Sequence, residues 1–285
     1  MPELPEVEIV KSQLEKFLVG HKIKNVKVLY KNFKGNKANL IGGKIVKVER
    51  FGKAITIKLD NGFSIFVHIK LTGQLIYRGP RLKTASKLSK KIIGGVPGVH
   101  THVVLSLDKG GNLYYNDVRK FGLFEVLKTS DIKNIVFIKN LGPDALEKLK
   151  IEEFRKILGS TKRSIKTLLL DQSKLAGVGN IYANDALWLS QILPNRPAND
   201  LSLLEQEKLF SAVKDVLKKG LKKGGASELA HVHPDGTEGE YQKEFLVYGK
   251  QGELCKRKGC VGKSAKIKKI SLGGRGTYFC ENCQK

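Results

Sequence analysis

The chain opens Met1-Pro2-Glu3-Leu4-Pro5-Glu6. Pro2 is small enough for Met1 to be removed ahead of it, which leaves a secondary amine flanked by Glu3 and Glu6. An α-amino group titrates near ~7.7–8.0, so a sizeable share is neutral and nucleophilic at physiological pH. Such amines form imines with carbonyl carbons, a sugar C1′ among them. Carboxylates this near in sequence are placed to move protons. The plainer alternative is an inert Met-Pro start whose acids favour a helix N-terminus.

A second concentration lies at the other end, where Cys255-x4-Cys260 is followed, after nineteen residues, by Cys280-x2-Cys283. Paired short spacings across a hairpin-length insert suit a tetrahedral four-thiolate zinc site. Such a site has no open coordination position, so its zinc is structural. The alternatives are free thiols or disulfides, and disulfides are disfavoured in a reducing compartment. His100-x-His102 and His231-x-His233 offer metal geometry on a strand, but no third ligand type clusters beside them. Ser173-Lys174-Leu175-Ala176-Gly177-Val178-Gly179 precedes a helix-like run. Two glycines there free backbone N–H groups for an anion at a helix N-terminus. A simple helix–helix turn is the plainer reading.

Elements must position these groups. Val7, Val10, Leu14 and Phe17 recur at helical spacing and predict a helix over 5–19. Strand patterns follow at 23–30, 44–50, 54–59 and 63–68, with Asp60-Asn61-Gly62 as a hairpin signal. Residues 78–99 are rich in Lys, Gly, Ser and Pro and read as a long mobile loop. Strands resume at 103–107, 113–115 and 122–127, which suggests a sandwich or barrel. Helices are predicted over 152–158, 165–171, 180–192 and 203–221.

The 285 residues carry 41% hydrophobic and 28% charged side chains, which argues against global disorder. No run approaches the ~18 apolar residues of a membrane span, so no membrane partner is expected. The start lacks a basic n-region, so it does not read as a secretory signal, and a cytoplasmic location is expected. Formal net charge is +25 and the pI about 9.8. A pI above ~9 is the footprint of a nucleic-acid binder, although a lysine-rich surface merely solvated would give the same total. Distribution favours the first reading. Residues 250–285 hold ten Lys/Arg, two Glu and all four cysteines.

Three strings in order, Pro2-Glu3-Leu4-Pro5-Glu6-Val7-Glu8, Gly177-Val178-Gly179-Asn180-Ile181-Tyr182-Ala183, and Gly274-Arg275-Gly276-Thr277 before Cys280-x2-Cys283, carry a resemblance over the whole chain. The chain resembles the formamidopyrimidine-DNA glycosylase / endonuclease VIII family, in its formamidopyrimidine-DNA glycosylase branch. The resemblance implies a multidomain α and β fold. An N-terminal antiparallel β-sandwich with a flanking helix spans 1–135, a helix–two-turn–helix domain 136–245 and a β-hairpin zinc finger 246–285. It implies a monomeric base-excision enzyme, nucleoid-associated in a bacterium, that acts on damaged double-stranded DNA. Such an enzyme removes oxidised purines (8-oxoguanine, formamidopyrimidines) and then cuts the strand by β,δ-elimination.

On this resemblance Pro2 is the nucleophile, Glu3 the proton donor and acceptor, and Glu6 positions the lesion. Lys53 holds a phosphate at the reacting nucleotide. His68, Lys166, Asn180 and Arg275 contact DNA. Leu71, Arg119 and Phe121 form the wedge that fills the hole left by the flipped base, although Leu71 and Phe121 could equally be strand core. One structural zinc sits on Cys255, Cys260, Cys280 and Cys283.

The chain departs from the family pattern at several points. The first cysteine pair is x4 where x2 is usual. Leu71 and Lys70 replace Met and Gly. Val118 and Lys120 stand beside Arg119 where Pro and Arg are usual, and 225–241 match poorly. A non-catalytic damage sensor and an enzyme for oxidised pyrimidines are the competing readings. Retention of Pro2, Glu3, Glu6 and Lys53 favours the enzyme; Leu4-Pro5 and the Arg119/Phe121 pair favour the purine branch.

Overall fold

A computed structural model describes residues 1–31, 33–82 and 88–285. The chain divides into two compact units, 1–139 with 221–242, and 140–220 with 243–285.

In the first unit, helix α1 (Leu4–Leu18) has Pro5 in its first turn and buries Val7, Val10, Leu14 and Phe17, the face its periodicity marks. Among the described residues eight strands follow: β1 (Ile23–Val28), β2 (Ile45–Phe51), β3 (Ala54–Leu59), β4 (Phe63–His68), β5 (Gly73–Arg78), β6 (Thr101–Leu107), β7 (Asn112–Asp117) and β8 (Leu123–Lys128). They form two four-stranded antiparallel sheets, ordered β1-β6-β7-β5 and β2-β3-β4-β8. Val26, Val48, Ile57, Ile65, Val103, Tyr115 and Phe124 fill the space between the sheets, and α1 joins the same core, with Phe17 stacked on Tyr77 at 4.9 Å. Burying each such side chain contributes roughly 1.5–3 kcal/mol. The expected sandwich with its flanking helix is the observed architecture.

Strand β5 lies in a stretch where the sequence marks no element. Its run of five buried residues lacks alternation, so its period is silent. Apart from Arg78, which ends β5, the expected loop over 78–99 is irregular where it is described; residues 83–87 of it lie outside the described residues. Its 88–92 portion is tied down. Lys91 Nζ donates to Ser227 O and pairs with Glu238, both at 2.5 Å, and Ile92 is buried with Ile76, Tyr114 and Val232. A short helix α2 (Val136–Lys139) ends the segment.

The second unit contains α3 (Ile151–Gly159), α4 (Ile165–Leu169), α5 (Asn180–Leu189) and most of α6 (Leu203–Lys222), then the hairpin β9 (Lys268–Leu272) and β10 (Arg275–Phe279). Ser164 caps α4 by accepting from the Thr167 N–H. Among the described residues no helix is long and apolar enough to cross a membrane.

Helix α6 approaches Tyr182 of α5 closely at Gly220, where a Cβ would meet the Tyr182 hydroxyl at 2.4 Å and its ring at 2.6 Å. Helix propensity favours alanine over glycine by about 1 kcal/mol, but overpacking costs about 1–3 kcal/mol. Because Tyr182 is fully buried, the clash wins. Gly220→Ala is expected to lower stability by up to about 2 kcal/mol in urea unfolding.

Candidate functional site: an acid-lined amino terminus and a four-cysteine hairpin

Glu3 is the N-cap of α1, so the chain enters the helix immediately after Pro2. Pro2 is buried, Glu3 is 3% and Glu6 1% exposed, and Met1 is largely exposed. Glu6 Oε2 accepts the Glu3 N–H at 2.8 Å, while Oε1 accepts the Ala226 N–H at 2.7 Å. The second bond spans 220 residues. It requires Gly225, whose φ is +74° and where a Cβ would stand 3.0 Å from Glu6 Oε1. Gln74, also buried, donates to Ala230 O at 2.6 Å and holds the same returning segment on β5. Sequence reasoning missed this attachment; the Gly224-Gly225 pair was its one local sign.

Lys53 sits in the β2–β3 hairpin after Gly52 (φ 54°) and is only 4% exposed, unusual for a lysine. His68 ends β4, its ring edge-on to Phe137 at 4.9 Å. Burial, with Lys70 and Lys53 nearby, holds its imidazole down at about 3. It is therefore neutral. Nδ1 accepts the Lys70 N–H at 3.1 Å, so Nε2 carries the proton and is a donor.

Leu71 is half-buried in the β4–β5 turn; Arg119 and Phe121 are exposed in the β7–β8 turn, with the guanidinium 4.7 Å from the ring centre. That distance suits a cation–π contact. Each turn has a lysine in the left-handed region, Lys70 at φ 48° and Lys120 at φ 58°.

In the second unit, Gln172 shapes the turn before α5, accepting from the Gly177 N–H and donating to Val178 O. Lys166 is wholly buried, and its ammonium donates to Gly276 O at 2.9 Å and Thr277 Oγ1 at 2.7 Å. Asn180 Nδ2 donates to the same Gly276 oxygen at 3.1 Å. Lys166 and Asn180 thus brace the turn that presents the exposed Arg275. Asp185, unsuspected from sequence, is fully buried and accepts the Leu246, Val247 and Tyr248 N–H groups. Burial pushes its carboxyl up, against those three bonds.

The four cysteines converge, with all Sγ atoms within 4.8 Å of one another and pairs at 3.8 and 3.9 Å. A disulfide needs about 2.05 Å. A tetrahedron with metal–sulfur bonds of about 2.3 Å has edges of about 3.8 Å, so the donor set fits one structural zinc. The longer first pair is absorbed by a short 3-10 turn, in which the Cys260 N–H donates to Arg257 O. Trp188 Nε1 and Asn282 Nδ2 donate toward Cys255 and Cys260 sulfur, at 3.4 and 3.1 Å. Such donors orient the thiolates.

Elemental analysis should find about one zinc per chain, and Cys280→Ser should lose the metal and loosen the hairpin, read as faster hydrogen exchange over 250–285. Acid should weaken the first unit. His231 is held at about 3 by burial, with His233, the chain's amino terminus and Lys91 adding positive charge. Like His68 it lies below the unfolded value of about 6.5. The unfolded chain therefore binds more protons, and this stability, complete above pH ~6.5, is lost on acidification toward ~3 at up to about 1.4 kcal/mol per pH unit for each histidine. His231→Gln should reduce the slope of unfolding free energy between pH 7 and 5.

Comparison with known proteins places these features. The model of the formamidopyrimidine-DNA glycosylase N-terminal domain matches residues 1–124, that of the H2TH domain 141–231, and that of the zinc finger found in FPG and IleRS 264–285. The formamidopyrimidine-DNA glycosylase of Pelotomaculum thermopropionicum is 37% identical over 292 residues, covering 100% of this chain and 99% of the relative. The Lactococcus lactis Fpg in complex with DNA containing an abasic site superposes with a TM-score of 0.84 at 33% identity, covering 99% of each chain. The same enzyme with DNA containing N7-benzyl-Fapy-dG also gives 0.84 at 33%, covering 100% of both. The chain belongs to the formamidopyrimidine-DNA glycosylase family.

Proposed function

We propose that this chain, a DNA glycosylase and AP lyase of base excision repair, removes 8-oxoguanine and formamidopyrimidines from duplex DNA through its Pro2 amine. The observation that carries the reading is the buried Pro2-Glu3 start of α1 in a chain that matches the family from end to end. With Met1 removed, the Pro2 nitrogen attacks C1′ of the extruded nucleotide. The new N–C1′ bond replaces the glycosidic bond, and the base leaves with that electron pair and a proton. Glu3 protonates the ring oxygen as the sugar opens to an iminium. That cation acidifies the C2′ protons, so the 3′-phosphate and then the 5′-phosphate are eliminated. Glu6 positions the lesion nucleotide.

Lys53 and the neutral Nε2–H of His68 hold phosphate oxygens near the reacting sugar. Asn180, Arg275 and Lys166 serve the DNA backbone in the second unit, Lys166 by bracing the Arg275 turn. Leu71, Arg119 and Phe121 replace the stacking lost when the base leaves, and Arg119 reads the orphaned cytosine. Extrusion costs a few kcal/mol, which contacts to the flanking phosphates offset. Net charge of +25 agrees with steep salt dependence of binding. We assign a monomer, at work in the cytoplasm and on the nucleoid of a bacterial cell, with domains at 1–135, 136–245 and 246–285.

Borohydride should trap a covalent adduct with lesion duplex, mapped by peptide analysis to residue 2. Glu3→Gln should bind DNA normally and lose about 10²–10⁴-fold in single-turnover excision, the scale of general-acid catalysis. An adduct at Lys53, or full activity with Met1 retained, would make a lysine the nucleophile. Faster cutting of thymine glycol than of 8-oxoguanine would move the chain to the pyrimidine reading.

A further inference from the structure

The β4–β5 and β7–β8 turns both cross between the sheets at one end of the sandwich. Gly73 is the register partner of Asp117 in one sheet, and His68 that of Leu123 in the other. Residues 69–72 and 118–122 between those pairs therefore run side by side with no strand ladder to hold them. A buried carboxylate takes the ladder's place. Asp117, the last residue of β7, is 1% exposed. Its Oδ1 accepts from Thr72 Oγ1 at 2.5 Å and the Arg119 N–H at 3.2 Å; its Oδ2 accepts from the Gly122 N–H at 2.7 Å and Tyr115 OH at 3.4 Å. Thr72 Oγ1 also accepts the Arg119 N–H at 3.1 Å, which closes a ring of three groups across the turns.

Three of the four bonded groups are, or adjoin, a proposed wedge residue. Thr72 follows Leu71, Arg119 is bonded through its own N–H, and Gly122 follows Phe121. The turns need such a brace, because Lys70 and Lys120 each hold a left-handed conformation that L residues resist.

We propose that Asp117, with Thr72 as its link, is a positioning residue that fixes the spacing of Leu71 against Arg119 and Phe121, so that the three enter the duplex as one rigid body. The proposal rests on the reading of those three residues as the wedge. A carboxylate is needed because both oxygens face donors. Asparagine would turn an NH2 toward the N–H of either Arg119 or Gly122, donor against donor, and release one turn.

The test compares single-turnover strand cutting of an 8-oxoguanine–cytosine duplex with that of a single-stranded oligonucleotide carrying one abasic site, where there is no pair to open and no hole to fill. Asp117→Asn should slow the duplex reaction tenfold or more, leave the single-strand reaction within twofold, and shrink the preference for cytosine over adenine opposite the lesion. Thr72→Val leaves the carboxylate in place and should show the same pattern at about threefold; it carries the test if the Asn variant does not fold. Duplex cutting at the wild-type rate by both variants, or equal loss on both substrates, overturns the proposal. Arg119→Ala and Phe121→Ala separate the two ideas. If they slow duplex cutting and the Asp117 and Thr72 variants do not, the wedge reading stands and the brace falls. If they cut at the wild-type rate, the wedge reading fails and the brace with it.

Discussion

A carboxylate removed from water must be surrounded by donors, and in this chain buried carboxylates tie together segments that no sheet or helix joins. Glu6 links the N-cap of α1 to Ala226, across 220 residues. Asp117 spans the two turns at the open end of the sandwich. Asp185 gathers three consecutive N–H groups ahead of the cysteine hairpin. Removing one such acceptor strands several buried donors at about 1–3 kcal/mol each. These bonds therefore fix loop positions more firmly than surface ion pairs would, since exposed pairs contribute about 0–1 kcal/mol.

The same economy shapes the electrostatics. With 27 acids against 52 Lys and Arg, each acid drawn inward leaves the surface more basic. A long-range positive potential suits a polyanionic partner and speeds its encounter. Two lysines run the other way. Lys53 and Lys166 are buried, and Lys166 is satisfied by a carbonyl and a hydroxyl. A buried ammonium with fixed partners has few rotamers left to lose when further groups arrive, which favours preorganised binding.

The cysteine hairpin shows how an insertion is tolerated. The longer first pair closes as a short helical turn and keeps its two sulfurs beside those of the second pair. Arg257, within that turn, lies 4.3 Å over the Trp188 ring, and the indole N–H points at Cys255 sulfur. Metal donors, aromatic ring and cation thus form one cluster, consistent with metal and packing acting together to hold a hairpin too small for its own core.

Local signals were enough for much of this. The period of α1, the apolar strand runs, the Asp60-Asn61-Gly62 hairpin, the Gly-Val-Gly turn before α5 and the cysteine spacings each depend on residues a few positions apart, which a linear reading can see. The string at Pro2-Glu3-Glu6 and the terminal hairpin identified the family for the same reason. Other features were decided only in three dimensions. The burial of strand β5 is set by its pairing with β7 and its place in the sheet. The return of 221–242 onto α1 and β5 depends on Glu6 and Gln74 finding backbone partners 220 and 156 residues away. The neutrality of His68 and His231 follows from burial and neighbouring cations, and Asp117 is an unremarked acid until the sheets bring two turns to it. A bond between distant residues leaves no periodic trace in either segment. Which donors surround a buried carboxylate is therefore settled by tertiary packing, while the kind of most elements, β5 excepted, is settled by the sequence.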